Sequence, residues 1–371
     1  MAGGGDPARV TGARRIGFGI AWAAALALRV SDLARFTRNF DVAAFETVVA
    51  ILRRGGDLYV ETNRYNYSPV WAHVLYALDS VAVHAGWSFP AVVGGFLLGV
   101  DAVTAFVLAR LAGGGRRGAA AALLFFANPV SVFVSSVHLQ FDNLSILFLL
   151  LALLGLTRAP LSRAGAVAAL SASLLVKHVT AFFPPLLVAR PKRPGLRPLE
   201  ALVPYLVFVA AFVPYWGSRA AVRRNVLEYR GLAEDYGSAM LTKIPGTPAW
   251  LPTAVFLAAC AAAILVLRRR DIDPVRASLL LFLVVLLTIP GIAEYYFVWP
   301  IALGSLFGGA GYAVYTLTVS AFFLGSPDGL NLPIPHLPGW HGVWWSLVLW
   351  LAWEIRRLSN DAARRLGIMT S

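Results

Sequence analysis

Ser31-Asp32-Leu33-Ala34-Arg35-Phe36-Thr37-Arg38-Asn39-Phe40-Asp41 follows directly on the first apolar run, and how this stretch is read decides the fold. The polar segment continues through Val42 to Arg54 and then Gly55-Gly56-Asp57-Leu58-Tyr59. It closes at Arg64-Tyr65-Asn66-Tyr67-Ser68-Pro69. Val42, Phe45, Val48, Val49 and Leu52 recur at helical spacing, while Glu46, Thr47, Arg53 and Arg54 fall largely off that face. Asn39 or Asp41 can cap the start, and Gly55-Gly56 stops the helix. The expectation is an amphipathic juxtamembrane helix lying at a bilayer surface, with the Asp41 carboxylate at its entrance.

The rest of the chain supports a membrane setting. Its 371 residues are 58% hydrophobic and only 14% charged, with a mean hydropathy of +0.68. Soluble domains carry about a quarter charged residues, so this composition points to an all-α polytopic membrane protein. The net charge of +13 raises nucleic acid as a partner. The basic residues, however, sit in short clusters between apolar runs and not along one aromatic-interleaved face, so nucleic acid is excluded. The single Cys260 lies within the apolar run Leu257 to Leu267, which excludes an intramolecular disulfide framework and a cysteine-based zinc site. Arg14-Arg15 before Ile16 to Val30, with Ala25-Leu26-Ala27 inside it, imitates a cleaved signal. A retained first helix is preferred, because Arg29 and the amphipathic loop follow without a domain boundary.

Apolar runs at 16–30, 91–111, 118–136, 142–157, 164–178, 179–190, 198–217, 249–267, 277–292, 295–308, 310–325 and 342–355 predict about 11–12 transmembrane helices in one integral membrane domain, 1–371. Ser68 to Ala85 is punctuated by Tyr76, Asp79 and His84 and reads as a juxtamembrane or re-entrant segment. With that choice the basic clusters alternate with non-basic turns. The clusters are Arg9/Arg14/Arg15, Arg110/Arg116/Arg117, Arg158/Arg163, Arg190/Lys192/Arg193/Arg197, Arg268-Arg269-Arg270 with Arg276, and Arg356-Arg357 with Arg364-Arg365. Roughly 20 of the 32 Lys and Arg then fall inside, as the positive-inside rule expects, and both termini are cytoplasmic. The outer side receives the first loop (31–90), the turn at His138 to Asn143, Lys177-His178, a second large loop (218–248), Ala293 to Trp299 and a Pro-rich piece at 326–341. The polar content suited to chemistry therefore faces one side.

Each polar cluster has a plain reading and a chemical one. Asp41 is a helix cap or a proton acceptor; a helix N-terminus fixes its direction and favours its charged form. Tyr65 and Tyr67 are an interfacial belt or the lining of a groove for a sugar or lipid. Asn66-Tyr67-Ser68 and Asn143-Leu144-Ser145 match the glycosylation pattern but are discounted, since Pro69 follows one and an apolar run follows the other. Asn128-Pro129 interrupts the third run, and His138, Gln140, Asp142 and Asn143 sit where it emerges. His138 and Asp142, four apart, would share a helical face and so could pair; the plain reading is capping in a loop, and two such ligands without a third are a weak metal signal. Lys177-His178 lies among apolar residues, where an ammonium snorkels or meets a phosphate. Arg219, Arg223, Arg224, Arg230 and Lys243 add cations on the same side, offset by Glu228, Glu234 and Asp235. Glu294, followed by Tyr295-Tyr296-Phe297-Val298-Trp299, is an acid amid aromatics at a membrane edge. Walker, dinucleotide-binding, His-Glu-x-x-His and Gly-x-Ser-x-Gly signatures are missing, which argues against a nucleotide-driven pump.

Taken in order, these motifs resemble the GT-C glycosyltransferases. Asn39-Phe40-Asp41 with Gly55-Gly56-Asp57-Leu58-Tyr59 and Tyr65-Asn66-Tyr67-Ser68-Pro69 resembles the first outer loop of the GPI mannosyltransferase that adds the first mannose, and of bacterial polyprenol-phosphate-mannose-dependent mannosyltransferases. Asn128-Pro129 with His138-Leu139-Gln140-Phe141-Asp142-Asn143 is similar to a segment of the glucosyltransferases that extend lipid-linked oligosaccharides. Lys177-His178 and Glu294 to Trp299 resemble matching places, so the likeness covers roughly residues 30 to 300. The resemblance implies a GT-C-like helical bundle and a polyprenyl- or dolichyl-phosphate sugar donor. It also implies a glycolipid or glycan acceptor and inverting transfer on the extracytoplasmic face, in the cell membrane if the source is prokaryotic. Asp41 takes the position of the catalytic carboxylate. Relatives of the GPI enzyme often carry Asp-x-Asp where this chain has Asn39-Phe40-Asp41; the missing first acid argues against a divalent metal, so no cofactor and no metal ligand is expected.

The mechanism this implies has Asp41 accepting the proton of an acceptor hydroxyl. Lys177, with His178 or an arginine such as Arg224, stabilises the departing lipid phosphate. Two other classes fit the composition. A secondary transporter or lipid flippase predicts broken helices in corresponding halves. A non-catalytic subunit predicts that Asp41, Asp142 and Lys177 are replaceable.

Overall fold

The computed structural model describes residues 19–31, 39–157, 162–229, 236–326, 332, 334 and 337–365, with side chains to 361. Expectations resting on 1–18, 32–38 and 230–235, and on Arg158, Arg364 and Arg365, lie outside the described residues or side chains. Seventeen α-helices occur among the described residues, with no strand; two isolated bridges, Val188–Leu196 (parallel) and Arg190–Arg193 (antiparallel), hold the turn between them.

After α1 (Gly19–Ser31), α2 (Phe40–Arg53) forms where the amphipathic pattern predicts, burying Val42, Phe45, Val48 and Val49. Then come α3 (Leu58–Glu61), α4 (Pro69–Ala85) and α5 (Phe89–Leu111), the last followed closely by α6 (Gly115–Phe126). Gly118 permits that contact, since a Cβ there would lie 2.6 Å from the Ala109 carbonyl oxygen. Asn128 caps the single turn α7 (Pro129–Val132), which runs into a π-helical turn, Phe133–Val137. Helix α8 (Asp142–Thr157) is apolar and buried almost all round, the mark of a central helix. It packs against α5 and α9 (Arg163–Val176).

The run at 179–190 forms no helix of spanning length. Pro184 and Pro185 remove two backbone donors, leaving a 3-10 turn, His178–Phe182, and the four-residue α10 (Phe183–Leu186). Short pieces α11 (Val203–Ala210) and α12 (Arg219–Val222) precede the outward-facing α13 (Leu251–Arg269). The bundle closes with α14 (Pro274–Thr288), α15 (Trp299–Phe307), α16 (Ala310–Gly325) and α17 (Trp340–Arg365).

Two helices, α5 and α13, are long and apolar enough to cross a membrane, and up to four spans result if each bent pair counts as one. Those pairs are Gly115–Phe126 with Pro129–Val137, bent 51°, and Glu200–Ala210 with Val213–Leu227, bent 61°. The expected 11–12 continuous spans are not all present as single helices. Prolines and polar turns cut several runs short: α8, at 16 residues, is about 24 Å long against a hydrocarbon core of about 30 Å. The molecule is an all-helical protein of the kind that occupies membranes.

Segments distant in the chain meet. Asn39 reaches the carbonyls of Val137 and His138, Asn225 reaches those of Tyr59 and Thr62, and Ser68 reaches that of Leu175. The basic turns likewise gather. Arg268 donates to the carbonyls of Pro185 and Val188, Arg190 donates to that of Ile272, and Arg276 binds Glu354 and Asp361.

Candidate functional site

Asp41 lies in the first turn of α2, but it is not the cap. Asn39 is: its Oδ1 accepts the Val42 N–H at 2.9 Å, while its Nδ2 donates to the carbonyls of Val137 (3.2 Å) and His138 (3.1 Å). Asn39 thereby fixes the α2 entrance against the 133–143 turn, and Asp41 is left with 20% of its side chain exposed. An aspartate at 39 has no N–H to give those carbonyls. Asn39→Asp is expected to lower stability by about 1–3 kcal/mol, read as a fall in melting temperature of the detergent-purified protein.

The turn itself departs from the expected helix. The π-helical turn ends at Val137, and Leu139 takes a left-handed backbone conformation (φ 54°) before α8 begins at Asp142. His138 and Asp142 therefore do not share a helical face, and the pairing that their spacing suggests is corrected. His138 Nδ1 instead lies 3.7 Å from the Asp41 carboxylate. Gln140 is fully buried, and its amide finds no hydrogen-bond partner among the described residues.

Asp142 takes Lys177 as its partner, with Nζ to Oδ1 at 2.7 Å and both side chains buried. Trp299 Nε1 donates to the same oxygen at 2.5 Å. Lys177 follows the last turn of α9 in extended conformation, which aims the ammonium inward and not towards an interface. Five rings surround it, with centroids at 4.4 Å (Tyr295), 4.8 Å (Tyr296), 5.3 Å (Tyr67), 5.5 Å (Phe141) and 5.9 Å (Trp299). Negative ring faces and one carboxylate together offset the cost of burying a cation. Trp299 as a partner of Asp142 was not foreseen; its place in the Glu294–Trp299 motif was the only signal.

Asn143 belongs elsewhere. Its Nδ2 donates to Asp101 Oδ1 (2.7 Å), Ser135 Oγ (2.9 Å) and Ser131 Oγ (3.2 Å), and Asp101 is salt-bridged to the fully buried Arg29. Arg29 also donates to the Phe126 carbonyl and to Ser131. This network ties α1 to α5, α7 and α8, which makes Asn143 a structural residue. Neither Arg29 nor Asp101 was expected to interact, because partners 72 residues apart leave no local spacing to read.

A cavity of about 1080 Å³ opens beside the Lys177 cage. Its lining includes the polar side chains of Asn66, Tyr67, Lys177, His178 and Tyr229 and the apolar ones of Phe182, Phe208, Phe256, Leu257 and Val285. Burial pushes the Tyr67 phenol well above its ordinary range, with Tyr296 and the Asp41 and Asp142 carboxylates adding to this, so the group stays a hydrogen-bond donor. Its hydroxyl lies 3.4 Å from that of Tyr295. Asp41 itself does not line the cavity; its carboxylate lies 3.7 Å from His138.

Of the twelve expected site residues, Tyr67, Lys177 and His178 line the cavity, and Asp41, Tyr65, His138, Gln140, Asp142, Asn143, Arg224, Glu294 and Tyr295 do not. The Tyr65 hydroxyl is used by the Ser68 carbonyl and the Ala72 N–H. Glu294 is buried and accepts from Ser326. Arg224 is exposed. Among the described residues no three His, Cys, Asp or Glu side chains converge as a metal site would require.

No protein-family model, no curated protein and no solved structure matches this chain.

Proposed function

We propose that this chain is a multi-pass membrane glycosyltransferase with a GT-C-like bundle. It moves a hexose, mannose by resemblance, from a polyprenyl- or dolichyl-phosphate donor to a glycolipid or glycan hydroxyl. The reaction takes place on the extracytoplasmic face, in the cell membrane if the source is prokaryotic. The observation that carries the reading is the cavity, whose largely apolar lining also includes the buried Lys177 ammonium and the Asn66, Tyr67 and Tyr229 side chains. An amphiphile with a phosphate between chain and sugar fits a lining of that kind.

In this reading the acceptor hydroxyl attacks the anomeric carbon while Asp41 takes its proton. The bond from that carbon to the phosphate oxygen breaks, and the lipid phosphate leaves with the electron pair. Lys177 has three N–H donors and gives one to Asp142, so the others serve the leaving phosphate. His178, on the same wall, is a second candidate contact.

Incubating the purified protein with labelled polyprenyl-phosphate hexoses and a panel of glycan and glycolipid acceptors tests this directly. The expected product has the opposite anomeric configuration to the donor. Retained configuration excludes a single displacement with Asp41 as base.

The two bent helix pairs favour a second reading, a lipid flippase or secondary transporter, in which broken helices surround the transported headgroup. Movement of a labelled polyprenyl phosphate across proteoliposomes without any sugar transfer decides for it.

A further inference from the structure

The 225–229 segment is held against the first loop by one side chain. Asn225 is 7% exposed, and its Nδ2 donates to the carbonyls of Tyr59 (2.9 Å) and Thr62 (3.2 Å). The three residues Leu227, Glu228 and Tyr229 then reach the cavity wall. Tyr229 lines the same cavity as Asn66. Tyr67 completes a group of neutral donors around the same opening. The nearest buried cation, Lys177, is already charge-compensated by Asp142. An anion entering here therefore needs hydrogen bonds from uncharged groups as well as from the ammonium.

We propose that Tyr229, with Asn66 and Tyr67, hydrogen-bonds the phosphate of a ligand carried on a long apolar chain, and that Asn225 is the positioning residue that holds Tyr229 in place. This rests on the reading of the cavity given above and adds to it the donor set for the phosphate. The apolar wall reads the chain and the tyrosine edge reads the head, so the two contributions are separable by probe.

The test titrates the purified, full-length protein with undecaprenyl phosphate, geranyl phosphate, undecaprenol and inorganic phosphate, following the fluorescence of Trp250 and Trp299 in the cavity wall. Tyr229→Phe keeps the ring and removes only the hydroxyl. It is expected to weaken both lipid phosphates by the same factor, about tenfold, and to leave undecaprenol binding unchanged. Asn225→Ala is expected to do the same, whereas Phe256→Ala should penalise undecaprenyl phosphate more than geranyl phosphate. A merely structural role for Tyr229 or Asn225 lowers phosphate and alcohol binding together, and that result overturns the proposal. So does Tyr229→Phe binding undecaprenyl phosphate as the parent does, an outcome that leaves the proposed function standing. Competition by inorganic phosphate as strong as by the lipid phosphate overturns the lipid source. If the parent protein binds the lipid phosphate with this pattern but transfers no sugar, the enzyme reading fails and the phosphate clamp stands.

Discussion

Asp41→Asn is expected to lower turnover at saturating donor by about 100-fold or more, the contribution of a positioned general base, with little change in stability. The structure makes this substitution informative. Asp41 does not cap α2, because Asn39 performs that task, and among the described residues it forms no short ion pair. An asparagine at 41 keeps the shape of the side chain and the helix start, and removes the negative charge together with the ability to take a proton. The Michaelis constant for donor should stay near that of the parent, since the phosphate contacts lie on Lys177 and the tyrosine edge. The competing arrangement has His138 as the base, with Asp41 orienting it across 3.7 Å. In that case His138→Gln is as damaging as Asp41→Asn; with Asp41 as the base it costs far less. Initial rates for the two variants, with melting curves to check folding, separate the cases. A normal rate for Asp41→Asn removes the base assigned here.

Local features of the fold were legible where spacing along the chain carries the information. The α2 stripe, its Gly55-Gly56 stop and the Asn128-Pro129 break follow from turn-by-turn chemistry, and all three are present. Partner choice was not legible. Spacing offered Asp142 a partner in His138, four residues away, and it took Lys177 and Trp299, 35 and 157 residues away. A left-handed Leu139 rotates the chain out of helical register, and hydropathy does not report that conformation. Asn143 looked equivalent to its neighbours, yet its amide donates to Asp101 and closes the Arg29–Asp101 network. The count of spans was the least secure inference, because an apolar run states that a segment is out of water, not that it is one helix. Pro184-Pro185 and the bend near Phe212 divide runs that hydropathy leaves whole.

Lys177→Ala tests both folding and function, and the structure changes what it should do. Residues placed only to meet a phosphate can be removed at small cost to stability, but Lys177 is the counter-ion of a fully buried carboxylate. Its truncation leaves Asp142 uncompensated, and breaking a buried pair in this way costs about 3–5 kcal/mol. The expected result is a protein that is poorly folded or melts far below the parent, and Asp142→Ala should behave alike. The double variant Lys177→Met/Asp142→Leu removes both charges while keeping apolar volume beside Phe141, Tyr296 and Trp299. Replacing a whole buried pair by well-packed apolar groups is close to neutral in free energy, so this variant should recover most of the lost stability. Sugar transfer should not return, because no ammonium remains to stabilise the leaving phosphate. The two readouts therefore part company: melting temperature is restored and turnover stays lost. A double variant that melts like the parent and transfers sugar at the parent rate would falsify any role for this pair beyond packing. The leaving group would then depend on the neutral donors of the tyrosine edge alone.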